Sequence, residues 1–279
     1  MRLKDVSRRF DKTPCRDAYS GAVLFNGQMA PWMEVLRDAV TYERRVLSVR
    51  PGINMPTRRA LQAAGSNWIV GSKNIDLWLG EEIRHGYTLQ EASVLARLLT
   101  LEEALAGATG TQAYCGRAWI KDEAFTQQSS AVVAQFEVFM GVNESAPSGS
   151  LIDFGGDLLV VHSSHTTEAQ MLRATCESLG TAASSTASVT HGVWNPVTEQ
   201  LSGSAVTIPV IRMRWQSLYA YGSPSAPRME ADDQQMVMSA TSVPKPVGAV
   251  VQFSDSSRWS VRSATRYGSA WLCRATHHA

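Results

Sequence analysis

Short apolar runs separated by Gly, Pro, Ser and Asn recur along the whole chain, and this feature limits its folds more than any other. Examples are SNWIVGS (66–72), GDLLVVHSS (156–164) and GAVVQFSDSSRWSVRSA (248–264). Runs of this length are typical of β-strands and are too short to span a membrane as helices. We therefore predict a mainly β chain of two to three small antiparallel barrel or sandwich units. In the segment 20–35, the Asn26-Gly27 pair predicts a hairpin turn between two strands.

Two segments differ from this pattern. The segment TLQEASVLARLLTLEEALAG has leucines near helical spacing, so we predict one helical segment near 88–107. The segment TAASSTASVTHGVWNP (181–196) is rich in Ser, Thr and Ala and is predicted to form an extended loop. The predicted organisation is an N-terminal basic arm with a β unit and the helix (1–110), a central β domain carrying that loop (111–205), and a C-terminal β unit resembling the central one (206–279).

A faint internal repeat runs through the strands. Three of them share the order large apolar residue, any residue, Val, any residue, Ser, in the ranges 68–72, 159–163 and 259–263. The second and third copies match further, because a Pro, a Gly and a Phe recur 99 residues apart and Leu172 matches Leu272 at 100. Since alternate residues of a strand share a face, the apolar residue, Val and Ser are expected to line one side. Chance similarity of short β units is the alternative.

Composition and charge exclude several classes of protein. Hydrophobic residues make up 44% of the chain and charged residues 18%, which is typical of a globular protein. The first residues alternate in charge and have no apolar core, so we expect no signal peptide. The four cysteines are widely spaced and are predicted to be buried thiols. Residues 1–60 carry twelve basic and six acidic side chains, whereas 111–180 carry three and eight. Such zones suit contacts between copies, and solvated surface is the alternative.

The most conspicuous chemical pattern is His162, His165 and Glu168, which could hold a metal ion. A strand would direct the two histidines to opposite faces, and the matching copy has Arg262 and Thr265 in their places. We therefore predict a turn with solvated histidines and no metal. Since we find no nucleophile elbow, phosphate loop or catalytic carboxylate pair, we predict a protein that is not an enzyme and has no cofactor.

Basic residues cluster near the N-terminus and around the strand that precedes Pro51. They are predicted to face either a neighbouring subunit or DNA, with ordinary surface as the third option. They are Arg2, Lys4, Arg8, Arg9, Arg44, Arg45, Arg58 and Arg59.

The segment GSNWIVGSKNIDLWLGEEIRHGYTLQ resembles neck proteins of tailed bacteriophages, the connector, head-closure and adaptor components below the portal. The resemblance rests on Trp68-Ile69-Val70, Asp76-x-Trp78-x-Gly80 and Ile83-Arg84-x-x-Tyr87. It implies a structural virion protein, assembled in the host cytoplasm, whose copies form a homo-oligomeric ring around the DNA channel. The implied partners are neighbouring neck, portal or tail proteins and, non-specifically, DNA, with no membrane. A multi-barrel module that binds a protein or a glycan is the alternative function.

Overall fold

A computed structural model describes residues 13–31, 44–78, 80–119, 135–195, 200–213 and 234–277. Their strands form three closed six-stranded antiparallel barrels. The predicted fold class, a mainly β chain of small antiparallel barrels, is confirmed. Each barrel closes on its own apolar cluster, as expected for strands that alternate between an inner and an outer face.

The strands of the three barrels follow one another along the chain without exchange. The first barrel contains β1 (Thr13–Asp17), β2 (Val23–Pro31), β3 (Arg44–Val49), β4 (Ala60–Ala63), β5 (Ser66–Trp78) and β6 (Glu81–Glu91). The second contains β7 (Val94–Leu99), β8 (Thr111–Trp119), β9 (Gln135–Gly141), β10 (Leu151–Phe154), β11 (Asp157–Thr166) and β12 (Met171–Ser178). The third contains β13 (Ala182–Asn195), β14 (Gln200–Met213), β15 (Gln234–Ser239), β16 (Val250–Phe253), β17 (Arg258–Tyr267) and β18 (Ala270–His277).

All three barrels have the same topology. Around each barrel the order is first, second, third, sixth, fifth and fourth strand, so that two three-stranded meanders close on each other. The barrels therefore span 13–91, 94–178 and 182–277. The domain limits predicted at 110 and 205 are wrong, because the strands β7 and β13 that open the second and third barrels lie in the two segments predicted to be helix and loop.

The predicted helix near 88–107 is mostly strand. Only α1 (Leu101–Leu105) is helical, and it begins at a capping box in which Thr100 and Glu103 satisfy each other's backbone N–H groups. Upstream, Leu98 pairs with Ile152 and Leu89 with Val70, so barrel closure outweighs the helical spacing of the leucines.

The Ser/Thr/Ala-rich segment is also strand, and its prediction as a loop is wrong. It forms β13, which pairs residue by residue with β14 from Ala182 opposite Met213 to Asn195 opposite Gln200. Ala187 and Val189 are buried in the third barrel, whereas the alternating Ser and Thr residues are at least partly accessible. Buried and accessible residues alternate along the segment as in a strand, but the buried residues are small, so the composition resembles that of a polar loop.

Asn26 and Gly27 do not form the predicted turn. Both lie within β2, opposite Pro14 and Thr13. Gly27 is needed for packing, because a Cβ atom there would lie 2.7 Å from Leu47 Cδ1 and 3.2 Å from Ser48 O on β3. The glycine thus permits the close approach of a neighbouring strand.

The internal repeat is real as structure and extends to all three barrels. Each barrel has a turn in which a Pro carbonyl accepts a hydrogen bond from the residue three positions later, over 2.9–3.0 Å (Pro56–Arg59, Pro147–Ser150 and Pro246–Ala249). The last residue of each turn accepts a hydrogen bond from the Val of the repeat, over 2.7–2.9 Å (Val70, Val161 and Val261). A β-bulge follows each of these valines, so the Ser of the repeat leaves the inner face that it was predicted to share.

One match in the predicted repeat is a residue out of register. Ser163 pairs with Thr175, whereas Ser263 pairs with Arg274, so the last strands correspond at an offset of 99. Leu172 therefore corresponds to Trp271 and not to Leu272. In agreement with this, Leu172 belongs to the core of its barrel, whereas Leu272 faces outwards.

The four cysteines are free and buried, as predicted. Burial raises the pKa of Cys15 to about 11 and those of Cys176 and Cys273 to about 12, and it raises the pKa of Cys115 as well. The thiolate is the reactive form, so the folded protein should resist thiol reagents at neutral pH. We expect negligible reaction with Ellman's reagent in the native state and release of four thiols after denaturation. Rapid modification of the native protein would contradict this burial.

Candidate interaction surfaces

The first and second barrels dock through a small apolar cluster. It consists of Ile69 from the first barrel, Ala92 from the link between the barrels, and Phe139 and Met171 from the second barrel, with Tyr114 packed against them. The backbones approach closely: a Cβ atom on Gly71 would lie 2.4 Å from the carbonyl oxygen of Ala169. The contact therefore depends on shape as well as on apolar area.

Arg58 is held inside this junction. Its Nε lies 2.9 Å from Glu144 Oε1 of the second barrel, and its guanidinium also donates to the carbonyl oxygen of Gln112. The Arg58 Cζ atom lies 4.0 Å from the centre of the Tyr19 ring, a cation–π geometry. Because Glu144 accepts hydrogen bonds from it, the pKa of Arg58 is raised. Its charge is paired within the chain, and its predicted role facing a neighbouring subunit or DNA stays a prediction.

Tyr19 completes the junction. Its hydroxyl accepts a hydrogen bond from the backbone N–H of Tyr114 (3.1 Å) and lies 3.4 Å from Glu144 Oε1. The Tyr19 and Tyr114 rings meet edge to face with their centres 5.0 Å apart. Burial raises the pKa of Tyr19 to about 12, so the hydroxyl keeps its proton at neutral pH.

Of the other predicted basic residues, Arg45 and Arg59 have side chains within the described part of the structure. Arg2, Lys4, Arg8 and Arg9 lie outside the described residues, as does the side chain of Arg44. Arg45 lies over the Trp68 ring, 5.3 Å from its centre, and Arg59 lines a cavity in the first barrel. Their prediction as subunit-facing or DNA-facing residues stays untested.

The second and third barrels dock through a larger apolar cluster built around α1. The helix contributes Leu101 and Leu105, which pack with residues of both barrels. These include Leu151 and Val160 of the second barrel, Leu179 of the link that follows it, and Ile211, Val237, Ala270 and Leu272 of the third barrel. The hydroxyl of Ser184 on β13 also donates to the carbonyl oxygen of Leu105, at 2.5 Å. The short helix therefore fills the gap between two barrels.

His162 lies at this second junction. Its ring stacks on Tyr267 of the third barrel, with centres 4.2 Å apart and planes 7° apart. Its Nε2 lies 3.1 Å from Glu177 Oε2, and Glu177 Oε1 accepts from Gln235 of the third barrel at 3.4 Å. The prediction of a solvated turn is therefore wrong for His162, whereas His165 and Glu168 are exposed. No group of three potential metal ligands lies within the described ranges.

Removing His162 should weaken the second junction. We expect His162→Ala to lower the free energy of unfolding by about 1–2 kcal/mol, because the ring loses its stacking on Tyr267 and Glu177 loses a hydrogen bond. His165→Ala, on the same strand but exposed, should change it by less than about 0.5 kcal/mol. Urea unfolding of both variants measures the difference, and equal effects would place the His162 ring outside the junction.

The two junctions use equivalent positions. Gly71 and His162 both lie between the Val and the Ser of the repeat, and both face the hairpin between the last two strands of the following barrel. The outward residues Ile69 and Val160, equivalent on β5 and β11, lie in the two apolar clusters. Phe139 and Val237 are also equivalent, and both face the preceding barrel. Each lies on the third strand of its barrel, two residues before the residue that pairs with the start of the last strand. The chain therefore repeats one mode of docking.

A cavity of about 430 Å³ opens in the first barrel. It is lined by Gly52, Ile53, Asn54, Met55, Arg59, Lys73, His85 and Tyr87. His85 is buried, its Nε2 lies 2.7 Å from Glu82 Oε2, and its Nδ1 has no hydrogen-bond partner. The bond to His85 lowers the pKa of Glu82. Arg59 and Lys73 give the lining a positive charge that suits a small anion such as a carboxylate.

Protein-family models, curated proteins and solved structures each give no match to this chain. In the described part of the chain, no helix is long and apolar enough to cross a membrane.

Proposed function

We propose that this chain is a structural subunit of the head–tail connector, or neck, of a tailed bacteriophage, and that its copies form a ring around the DNA channel. The observation that supports an assembly protein is the repeated docking of equivalent barrels, because a module that binds its own kind twice within one chain is suited to do so between chains. The phage setting rests on the resemblance of the segment 65–90. Neighbouring neck, portal or tail proteins would contact the two faces of the ring.

The charge zones support contacts between copies. The basic N-terminal third and the acidic middle of the chain offer opposite charges to neighbours. The alternative, a glycan-binding module, draws less support from the described tryptophans. Trp68 and Trp259 are buried in barrel cores and Trp271 packs against one, whereas a sugar platform requires an accessible ring.

The mass of the purified chain in solution tests the proposal. Light scattering at low and high salt should give a ring-sized species whose population falls as salt rises, and negative-stain microscopy should show a central channel. A monomer at every concentration, with tryptophan fluorescence that changes on adding glycans, would instead favour the binding module.

A further inference from the structure

Among the residues that the structure describes, the serial docking of barrels leaves one docking surface without a barrel against it at each end. In the second barrel, the turn that begins with Pro and the bulge that follows Val both contact the hairpin of the third barrel. In the first barrel, the bulge residue Gly71 contacts the corresponding hairpin, whereas the turn contacts Gly141 and Asn143, at and just after the end of β9. In the third barrel, the corresponding turn is Pro246–Ala249 and the corresponding bulge residue is Arg262, which is exposed. In the first barrel, the corresponding hairpin connects β5 and β6, and no barrel of this chain precedes it among the described residues.

Each unused surface carries an exposed apolar side chain. Leu77 in the β5–β6 hairpin is 62% exposed and Val247 in the third turn is 59% exposed, the two highest values among the large hydrophobic residues that the structure describes. The residues equivalent to Val247 in the other two turns are Thr57 and Ser148, and both contact the next barrel. The carbonyl oxygen of Thr57 accepts a hydrogen bond from the Asn143 side chain at 2.5 Å, and that of Ser148 would lie 2.2 Å from a Cβ atom on Gly268. A single exposed apolar side chain is ordinary on a protein surface, so these two residues support a contact only because they lie at positions that correspond to the internal junctions.

The charges of the two surfaces are complementary. The hairpin carries Asp76, Glu81 and Glu82 with Lys73 and Arg84, a net charge of −1, although Asp76 is paired with Arg84 and Glu82 is bonded to His85. In the third barrel, the turn and β17 carry Lys245, Arg258, Arg262 and Arg266, and the loop before β17 carries Asp255, which is paired with Arg212. The outward position filled by Ile69 and Val160 in the earlier barrels is Ser260 here, so this surface is more polar than the internal junctions. An interface with a polar rim and a small apolar centre suits reversible association.

We propose that the β5–β6 hairpin of one copy docks on the Pro246–Ala249 turn and the adjacent bulge of the third barrel of a second copy. The contact is head to tail, so it continues between chains the docking that joins the barrels within one chain. Such a contact closes into a ring or extends into a filament, depending on the rotation per subunit. The inference rests on the proposed function only in taking the chain to be self-assembling.

Cross-linking between two cysteine variants tests the pairing directly. A chain with Leu77→Cys and a tagged chain with Val247→Cys are mixed and oxidised, and the four native thiols are buried and stay silent. We expect a disulfide-linked dimer containing one chain of each kind, and little cross-linking of either variant alone. The control is a chain with Leu95→Cys, because Leu95 is an exposed apolar residue of the middle barrel. This chain is mixed with each of the other two variants in turn. Cross-linking to Leu95→Cys at an equal level, or none in any mixture, would overturn the proposal.

Charge substitutions separate this inference from the proposed function. Leu77→Asp and Val247→Asp should each weaken self-association at least about tenfold in sedimentation velocity, because each removes the apolar centre of the contact, whereas Leu95→Asp should not. Rings that form unchanged in both variants would sink the docking proposal and leave the neck function standing. If the unsubstituted chain forms filaments instead of rings, and both variants abolish the filaments, the docking proposal would stand and the proposed ring would be contradicted.

Discussion

Gly149→Ala is expected to be among the most destabilising single substitutions in this protein. Gly149 has a φ of +85°, and a Cβ atom there would lie 2.1 Å from the carbonyl oxygen of Tyr267 in the third barrel. The left-handed backbone costs an L-residue roughly 1–2 kcal/mol, and separating two packed backbones costs about 1–3 kcal/mol more. We expect the free energy of unfolding to fall by about 3 kcal/mol in urea titrations.

The chain supplies a matched control for this substitution. Gly248 occupies the same turn in the third barrel, with a φ of +83°, but nothing lies within 4 Å of the Cβ atom that it would gain. Gly248→Ala therefore has the same cost of a left-handed backbone and the same effect on the entropy of the unfolded chain, but it creates no steric clash. The difference between the two variants isolates the approach of the second and third barrels. Equal losses in both would mean that the barrels are not held this close in solution.

Much of the fold follows from the sequence because strand patterns are local. The apolar residue and the Val of the repeat do lie in the cores of all three barrels, as alternation requires. The Pro turns could have been extended to the first barrel, but there Arg58 stands where the later copies have Gly149 and Gly248. The first barrel takes its left-handed residue one position later, at Arg59, with a φ of +54°. A shift of one residue conceals such a repeat from simple alignment.

The errors arose where distant contacts decide the structure. The leucines of 88–107 lie near helical spacing, but pairing with β5 and β10 selects the strand. Asn26-Gly27 has the composition of a tight turn, but the glycine is needed because β3 passes close to it. Neither contact can be predicted from local propensity, because each depends on a strand that is distant in sequence.

The residues of the two junctions were missed for a related reason. Tyr19 and Glu144 are 125 residues apart, and neither belongs to a recognisable motif. Glu177 meets His162 on the neighbouring strand of the second barrel, whereas Tyr267 meets it only where the third barrel docks. The sequence feature that could have indicated the second junction is His162 itself, because the equivalent residue in the third barrel is Arg262. A residue that changes while its strand is repeated is a candidate for contact between repeats.

The Arg58–Glu144 pair should be the main polar stabiliser of the first junction. Glu144 is 7% exposed and Arg58 37% exposed, so replacing Arg58 by Met leaves a buried carboxylate without its ionic partner. The substitution also removes the cation–π contact with Tyr19. We expect Arg58→Met to lower the free energy of unfolding by about 2 kcal/mol, within the range for hydrogen bonds to charged groups. Arg97→Met, which breaks a more exposed pair with Asp153, should cost less than about 1 kcal/mol.

A double-mutant cycle distinguishes a lost pair from a lost side chain. Glu144→Gln removes the carboxylate charge and keeps the shape, so combining it with Arg58→Met should restore part of the stability that Arg58→Met loses. We expect a coupling energy of about 1–2 kcal/mol between the two positions, measured by urea unfolding of all four proteins. Because Glu144 is sheltered from water, this coupling should change little with salt, whereas that of the Arg97–Asp153 pair should fade. Strictly additive losses would mean that Arg58 stabilises the junction by packing on Tyr19, with its charge contributing nothing.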